Sequence, residues 1–128
     1  MKKVLIIVGV LIITILGGFL LMTSKANTAL ETMQYEDINM KLVADGTYEG
    51  KTNAGLVIVE VEVSVKNHTI DKIDIIEHQN GLGSKAESIT NRIIEQNNYD
   101  VDAVSGATLS SEAIKSAVSR ALKEGYGD

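Results

Sequence analysis

The sequence predicts an α+β fold: a small, mainly antiparallel sheet with two helices packed on one face, preceded by an N-terminal transmembrane helix. Three observations carry that expectation: an uncharged apolar run near the N-terminus, a valine ladder of period two in the middle of the chain, and two stripes of helical period in its last third. Strands followed by helices are the order of a two-layer α+β unit. With 128 residues there is room for one small domain and a targeting segment, and no room for a second core.

The first element reads Lys2-Lys3 and then an apolar run through Met22, with no charge from Val4 to Ser24. At about 1.5 Å per residue this length spans a hydrocarbon core of about 30 Å. Two readings compete: a retained anchor, or a cleaved signal peptide with the small residues Ser24 and Ala26 before Asn27. The run exceeds the usual signal-peptide core, which favours the anchor. Lys2 and Lys3 precede the span and Glu31, Glu36 and Asp37 follow it, so the positive-inside rule places everything after residue 24 outside the cytoplasm.

Residues 25–44 form a stalk whose apolar positions, Leu30, Met33, Ile38, Met40 and Leu42, fit neither period. The domain proper is expected over residues 45–128. Asp45-Gly46 is a turn, Thr47-Tyr48-Glu49 a short strand, and Asn53-Ala54-Gly55 a second turn. Val57, Val59, Val61, Val63 and Val65 then share one parity against Glu60, Glu62, Ser64 and Lys66 on the other, the signature of a strand with one buried face. Asn67-His68 is a tight turn, and Ile70, Ile73 and Ile75 return as a second strand whose parity slip implies a bulge.

Two helices follow. Ser84 with Glu87 three residues later is a capping-box signature, with Ala86, Ile89, Ile93 and Ile94 as the stripe and Asn97-Asn98 as the stop. The second helix runs from about Leu109 to Lys123, with Ile114, Ala117, Val118, Ala121 and Leu122 recurring at helical spacing and Gly125 beyond them.

Composition narrows the function. The part beyond Ser24 carries all 17 acidic side chains and 10 of the 12 basic ones, net −7, which opposes direct nucleic-acid binding. Phe19 and four tyrosines are the whole aromatic complement, too few for a base-stacking platform. Without cysteine there is no disulfide, thiolate nucleophile, iron–sulfur ligation or tethered haem, so any redox chemistry needs a borrowed cofactor. No metal site is expected: His68 sits in a turn, His78 ends a strand, and neither has carboxylates at ligand spacing. Glu60 and Glu62 alternate on a wet strand face, and Ser105, Ser110 and Ser111 lack a nearby histidine, so hydrolytic chemistry is not expected. Tyr48 reads as a core tyrosine, with stacking on a ligand ring as the alternative.

The segment from Val101 to Thr108 lies where the second helix begins. A helix N-terminus offers unpaired amides and the positive end of a dipole, which suits a phosphate. Gly106 allows close backbone approach, Ser105 and Thr108 can donate hydrogen bonds, and the Thr108 hydroxyl can be esterified. The alternative is a plain turn into a helix, with Asp102 or Ser105 as a local cap.

Asp102, Ser105, Gly106, Ala107 and Thr108 spell Asp-x-x-Ser-Gly-Ala-Thr, which resembles the flavinylation motif of the FMN-binding domain family. That family includes subunits of the sodium-pumping NADH:quinone oxidoreductase and many small extracytoplasmic proteins. Five such positions coincide by chance in roughly one chain in 10⁴ of this length. The resemblance covers about residues 45–124, from Asp45-Gly46-Thr47-Tyr48-Glu49-Gly50 through Glu77-His78, Gly81-Leu82-Gly83 and Lys85-Ala86 to the motif and Ser110-Ser111. It implies FMN carried on Thr108 through a phosphoester made by a separate flavin transferase, with Asp102 part of what that enzyme recognises. Many relatives have Glu-Thr-Pro-Gly where this chain has Gln79-Asn80-Gly81, which leaves Gly81 and Gly83 as the loop's candidates for close approach to the flavin ring.

The resemblance thus implies a membrane-anchored carrier that takes electrons from a membrane or extracytoplasmic donor and passes them to an acceptor, more a shuttle than a stand-alone enzyme. A domain of about 84 residues buries only about 60–65% of its unfolded surface, too little for a deep pocket, and a covalent bond removes the need for one. The competing class is a non-redox module, anchored at the surface and binding a protein or cell-wall partner through its sheet.

Overall fold

The computed structural model describes residues 1–79 and 84–127. Helix α1 (Lys2–Thr32) is a single helix of 31 residues with no buried residue and a mean hydropathy of 3.1 over its most apolar window. At 1.5 Å per residue it is about 46 Å long, longer than a hydrocarbon core of about 30 Å. Thr14, Thr23, Thr28 and Thr32 turn their hydroxyls back onto carbonyls one turn earlier, so these polar side chains leave no unsatisfied donor on the helix surface.

Among the described residues, three strands form one antiparallel sheet in the order β1 (Gly46–Asn53), β2 (Ile58–Lys66), β3 (Thr69–Gln79). The valine ladder is the buried face of β2, with Val59, Val61, Val63 and Val65 inward and their neighbours half-exposed. Each such side chain removed from water stabilises the fold by about 1.5–3 kcal/mol. Asn67 and His68 both take left-handed backbone, φ 53° and 59°, as the tightest two-residue hairpin turn requires. Two register shifts fall in β3. The first inserts Asp71 and lets both Ile70 and Ile73 face the core; the second inserts Ile76 and leaves it on the outside.

Strand β1 is longer than the short strand the sequence suggested. Its inward positions are Tyr48, Gly50 and Thr52, which show no apolar alternation because a helix backbone lies directly over them. A Cβ on Gly50 would sit 1.9 Å from the Ala117 carbonyl oxygen, so glycine sets how closely helix and sheet approach.

That helix is α3 (Thr108–Glu124), which covers β1 and β2, while α2 (Ile89–Gln96) covers β3. The expected capping box does not open an α-helix. Ser84–Ser88 is a 3₁₀ turn, and α2 starts behind Ser88, which makes no side-chain cap. The Glu87 carboxylate instead accepts from His78 Nδ1 at 3.1 Å, tying the turn to β3. At the far end Asn97, in left-handed conformation (φ 49°), accepts from the Ile70 amide and donates to the His68 carbonyl, so the stop of α2 also clamps the hairpin.

The chain between α1 and β1 has no regular period because it is docked rather than coiled. Ser116 accepts from Thr52 at 2.9 Å and donates to the Gln34 carbonyl, a buried relay from the sheet through α3 to the stalk. Ser119 accepts from the Glu36 amide, the Tyr126 hydroxyl bridges the Asn39 amide and the Asp37 carbonyl, and Val43 is fully buried and pairs with Tyr126. Helix α3 is therefore buried on two sides, by the sheet and by the stalk.

Candidate functional site

The N-terminal end of α3 differs from the rest of it. Ala107 is the N-cap and makes no side-chain cap; the first turn, Thr108 to Ser111, holds no acidic residue. A turn at Ser105-Gly106 leads into the helix, and among the described residues neither Asp102 nor Ser105 caps it. The leading amides of a helix have no intrahelical partner and carry the positive end of its dipole, and no side chain caps them here.

The segment before it is held firmly from below. Val101 and Ala107 are buried and act as its two feet. Between them the Val104 amide donates to the buried Ser111 hydroxyl at 2.9 Å, and the Ala107 amide closes a turn onto the Val104 carbonyl at 3.0 Å. From the side, Arg92 on α2 donates to the Asp102 carbonyl at 3.1 Å. Lys115, almost buried, bridges Asp100 and Glu112 at 3.3 Å each and so fixes the approach to the segment against α3. Tyr35 of the stalk donates to Glu112 and stacks on Tyr99, with ring centroids 6.1 Å apart. Burial, reinforced by that bond and by the charges of Glu112 and Asp100, raises the Tyr35 phenol above its ordinary range; burial and the neighbouring carboxylates raise Tyr99 in the same direction.

On this footing the predicted residues fall into place as follows. Asp102, Ser105, Gly106 and Thr108 are exposed and Ala107 is buried. Thr108 is the first residue of α3, and its hydroxyl has no hydrogen-bond partner among the described residues. Gly106 has φ +78°, a left-handed conformation that favours glycine. A Cβ there would lie 2.7 Å from Lys85 Nζ, so the missing side chain leaves a notch that the ammonium borders. Gly81 and Gly83 lie outside the described residues. Tyr48 donates to the Ala44 carbonyl at 2.7 Å and packs beside Gly46 and Gly125, which is a structural role.

The donor set fits a phosphate monoester or diester: helix-start amides without a side-chain cap, a small-residue notch, an adjacent ammonium and a hydroxyl with no partner among the described residues. Sequence reasoning quoted Lys85 and Ser111 as part of the family resemblance but gave neither of them, nor Arg92, a role at this segment. Lys85 and Arg92 reach the segment only through the tertiary packing of their elements, which no local spacing announces. Ser111 carried one readable signal, a hydroxyl on the first turn of a helix at a position that the apolar stripe also buries.

The FMN-binding domain profile matches residues 55–123, more than half of the chain, a span that contains β2, β3, α2, the segment before α3 and nearly all of α3. No solved structure matches the chain.

Proposed function

The chain belongs to the FMN-binding domain family, and from that premise we propose that it is an extracytoplasmic electron carrier whose FMN is attached covalently to Thr108. An FMN-binding domain behind one apolar N-terminal helix makes a membrane-anchored FMN-binding protein. The proposed organisation is an anchor over residues 1–24, a stalk over residues 25–44 and the FMN-binding domain over residues 45–128. The domain faces outward, with Lys2 and Lys3 inside.

One observation carries the covalent reading: the motif threonine opens an uncapped helix, exposed and with its hydroxyl unengaged among the described residues. Attachment joins Thr108 Oγ1 to the phosphorus of an activated flavin nucleotide. The bond from that phosphorus to the donor's leaving phosphate breaks, and the hydroxyl proton passes to the transferase. The amides at the start of α3 would hold the phosphodiester, Gly106 would keep the approach open, and Asp102, exposed and bonded by Arg92 only at its backbone carbonyl, would be available to the transferase. Bound FMN supplies the two-electron and one-electron chemistry that a chain without cysteine lacks. The protein contributes position: Ser111, Arg92 and Lys115 hold the attachment segment still while leaving it open to partners.

The experiment is to purify the protein made with and without a flavin transferase, denature it, wash it and record its spectrum and intact mass. Retained yellow colour and an added FMN-phosphoester mass only with the transferase are expected. Colourless protein of unmodified mass in both preparations would favour a non-redox binding module. Digestion of the domain by protease added to intact cells checks the orientation, and protection would reverse it.

A further inference from the structure

The cations around the start of α3 are not equivalent. Arg92 is committed to the Asp102 carbonyl, and Lys115 to Asp100 and Glu112. Lys85 is different: it is exposed, has no carboxylate within 4.0 Å among the described residues, and places its ammonium where a Cβ on Gly106 would be 2.7 Å away. Its backbone is fixed, because Ala86 next to it is fully buried and the Ser88 hydroxyl donates to the Lys85 carbonyl at 3.0 Å.

Resting on the covalent reading above, we infer that Lys85 is the phosphate-positioning residue of this site, the cationic partner of the incoming flavin nucleotide and afterwards of the phosphodiester on Thr108. The part of the chain beyond Ser24 is net −7 and repels an anionic nucleotide at long range. The Lys85 ammonium borders Gly106, two residues before Thr108, and so offsets that field locally at the accepting segment. Lys85 makes no hydrogen bond to the segment among the described residues, so it is not a strut of the fold. Gly106 acquires a second purpose: any side chain there displaces the ammonium from the notch as well as straining the backbone.

The test uses the full-length, detergent-solubilised protein with a transferase, the initial rate of flavinylation read by intact mass across a range of ionic strength. Lys85→Gln should slow modification several-fold at low salt, Lys85→Glu should slow it more than tenfold, and Lys85→Arg should stay near the parent rate. The differences should shrink toward 1 M salt, where the Debye length is about 3 Å. In the loaded protein, time-resolved flavin anisotropy should report a looser flavin in Lys85→Gln. Parent-like rates in both Lys85→Gln and Lys85→Glu, or a salt-independent loss shared equally by Lys85→Arg, would overturn the assignment. Thr108→Ala keeps the two readings apart: if it stays unmodified while the Lys85 variants behave as parent, the covalent site stands and the role of Lys85 falls; if the parent itself carries no covalent flavin, both fall.

Discussion

The two ends of α3 are built to opposite rules. From Ala113 to Leu122 nearly every side chain is buried, polar ones included, and Ser116, Ser119 and Lys115 each have partners. At Thr108 the same helix is uncapped and exposed, and Gly106 just before it is bordered by an ammonium. The difference teaches where chemistry can be placed on a small domain: the packed half supplies rigidity, and the unsatisfied half has interactions left over for a ligand.

That contrast can be broken from either end. The largest expected effect is at the open end: Thr108→Ala should abolish covalent flavin while circular dichroism and thermal melting remain nearly unchanged. Flavin that survives denaturation of Thr108→Ala would remove the assignment. The next is at the packed end, where Gly50→Ala forces a Cβ to within 1.9 Å of the Ala117 carbonyl oxygen. Overpacking against backbone should cost about 3 kcal/mol or more, read as a large fall in melting temperature; a parent-like melt would show that β1 and α3 can separate without loss.

A smaller, graded effect is expected for Gly106→Val and Asp102→Ala, which should lower the extent of flavinylation at limiting transferase without unfolding the domain. Full modification of both would make the motif reading too specific. The smallest concerns the stalk. The Tyr35 phenol is raised in the folded protein, chiefly by burial, so its protonated form favours the docked state. That contribution is complete below the ordinary tyrosine range near 10 and is lost as pH rises through the folded value. The melting temperature of the parent should therefore fall more steeply than that of Tyr35→Phe above about pH 10, and parallel slopes would rule out this coupling.

How much could be read in advance follows the same division between local and non-local causes. The alternation of Val57 to Val65, the Asn67-His68 turn and the start and end of α3 are local patterns, and the structure places them within a residue or so. Strand β1 read as shorter than it is because Gly50 and Thr52 answer to the backbone of α3, sixty and more residues away. The stalk showed no period because its partners are Ser116 and Ser119 rather than its own neighbours. Glu87 carries a local capping signature and is drawn to His78 instead. At the candidate site, the segment before α3 was legible as a contiguous motif, whereas the placement of Lys85 and Arg92 beside it comes from other elements and was not.

Fully extended, residues 33–43 would span about 36–40 Å, a leash on which a carrier could sample a broad hemisphere above its membrane. Docked along α3 through Gln34, Tyr35, Glu36 and Asn39, that length is withdrawn from reach, and α1 continues as a rigid post to within one residue of the docked segment. The domain is therefore bracketed to its post. Under the proposed function, a carrier mounted this way would find its partners by gliding in the plane of the bilayer, with encounters set by lateral diffusion and by the height of the partner's own electron-exchanging group, not by the swing of a tether.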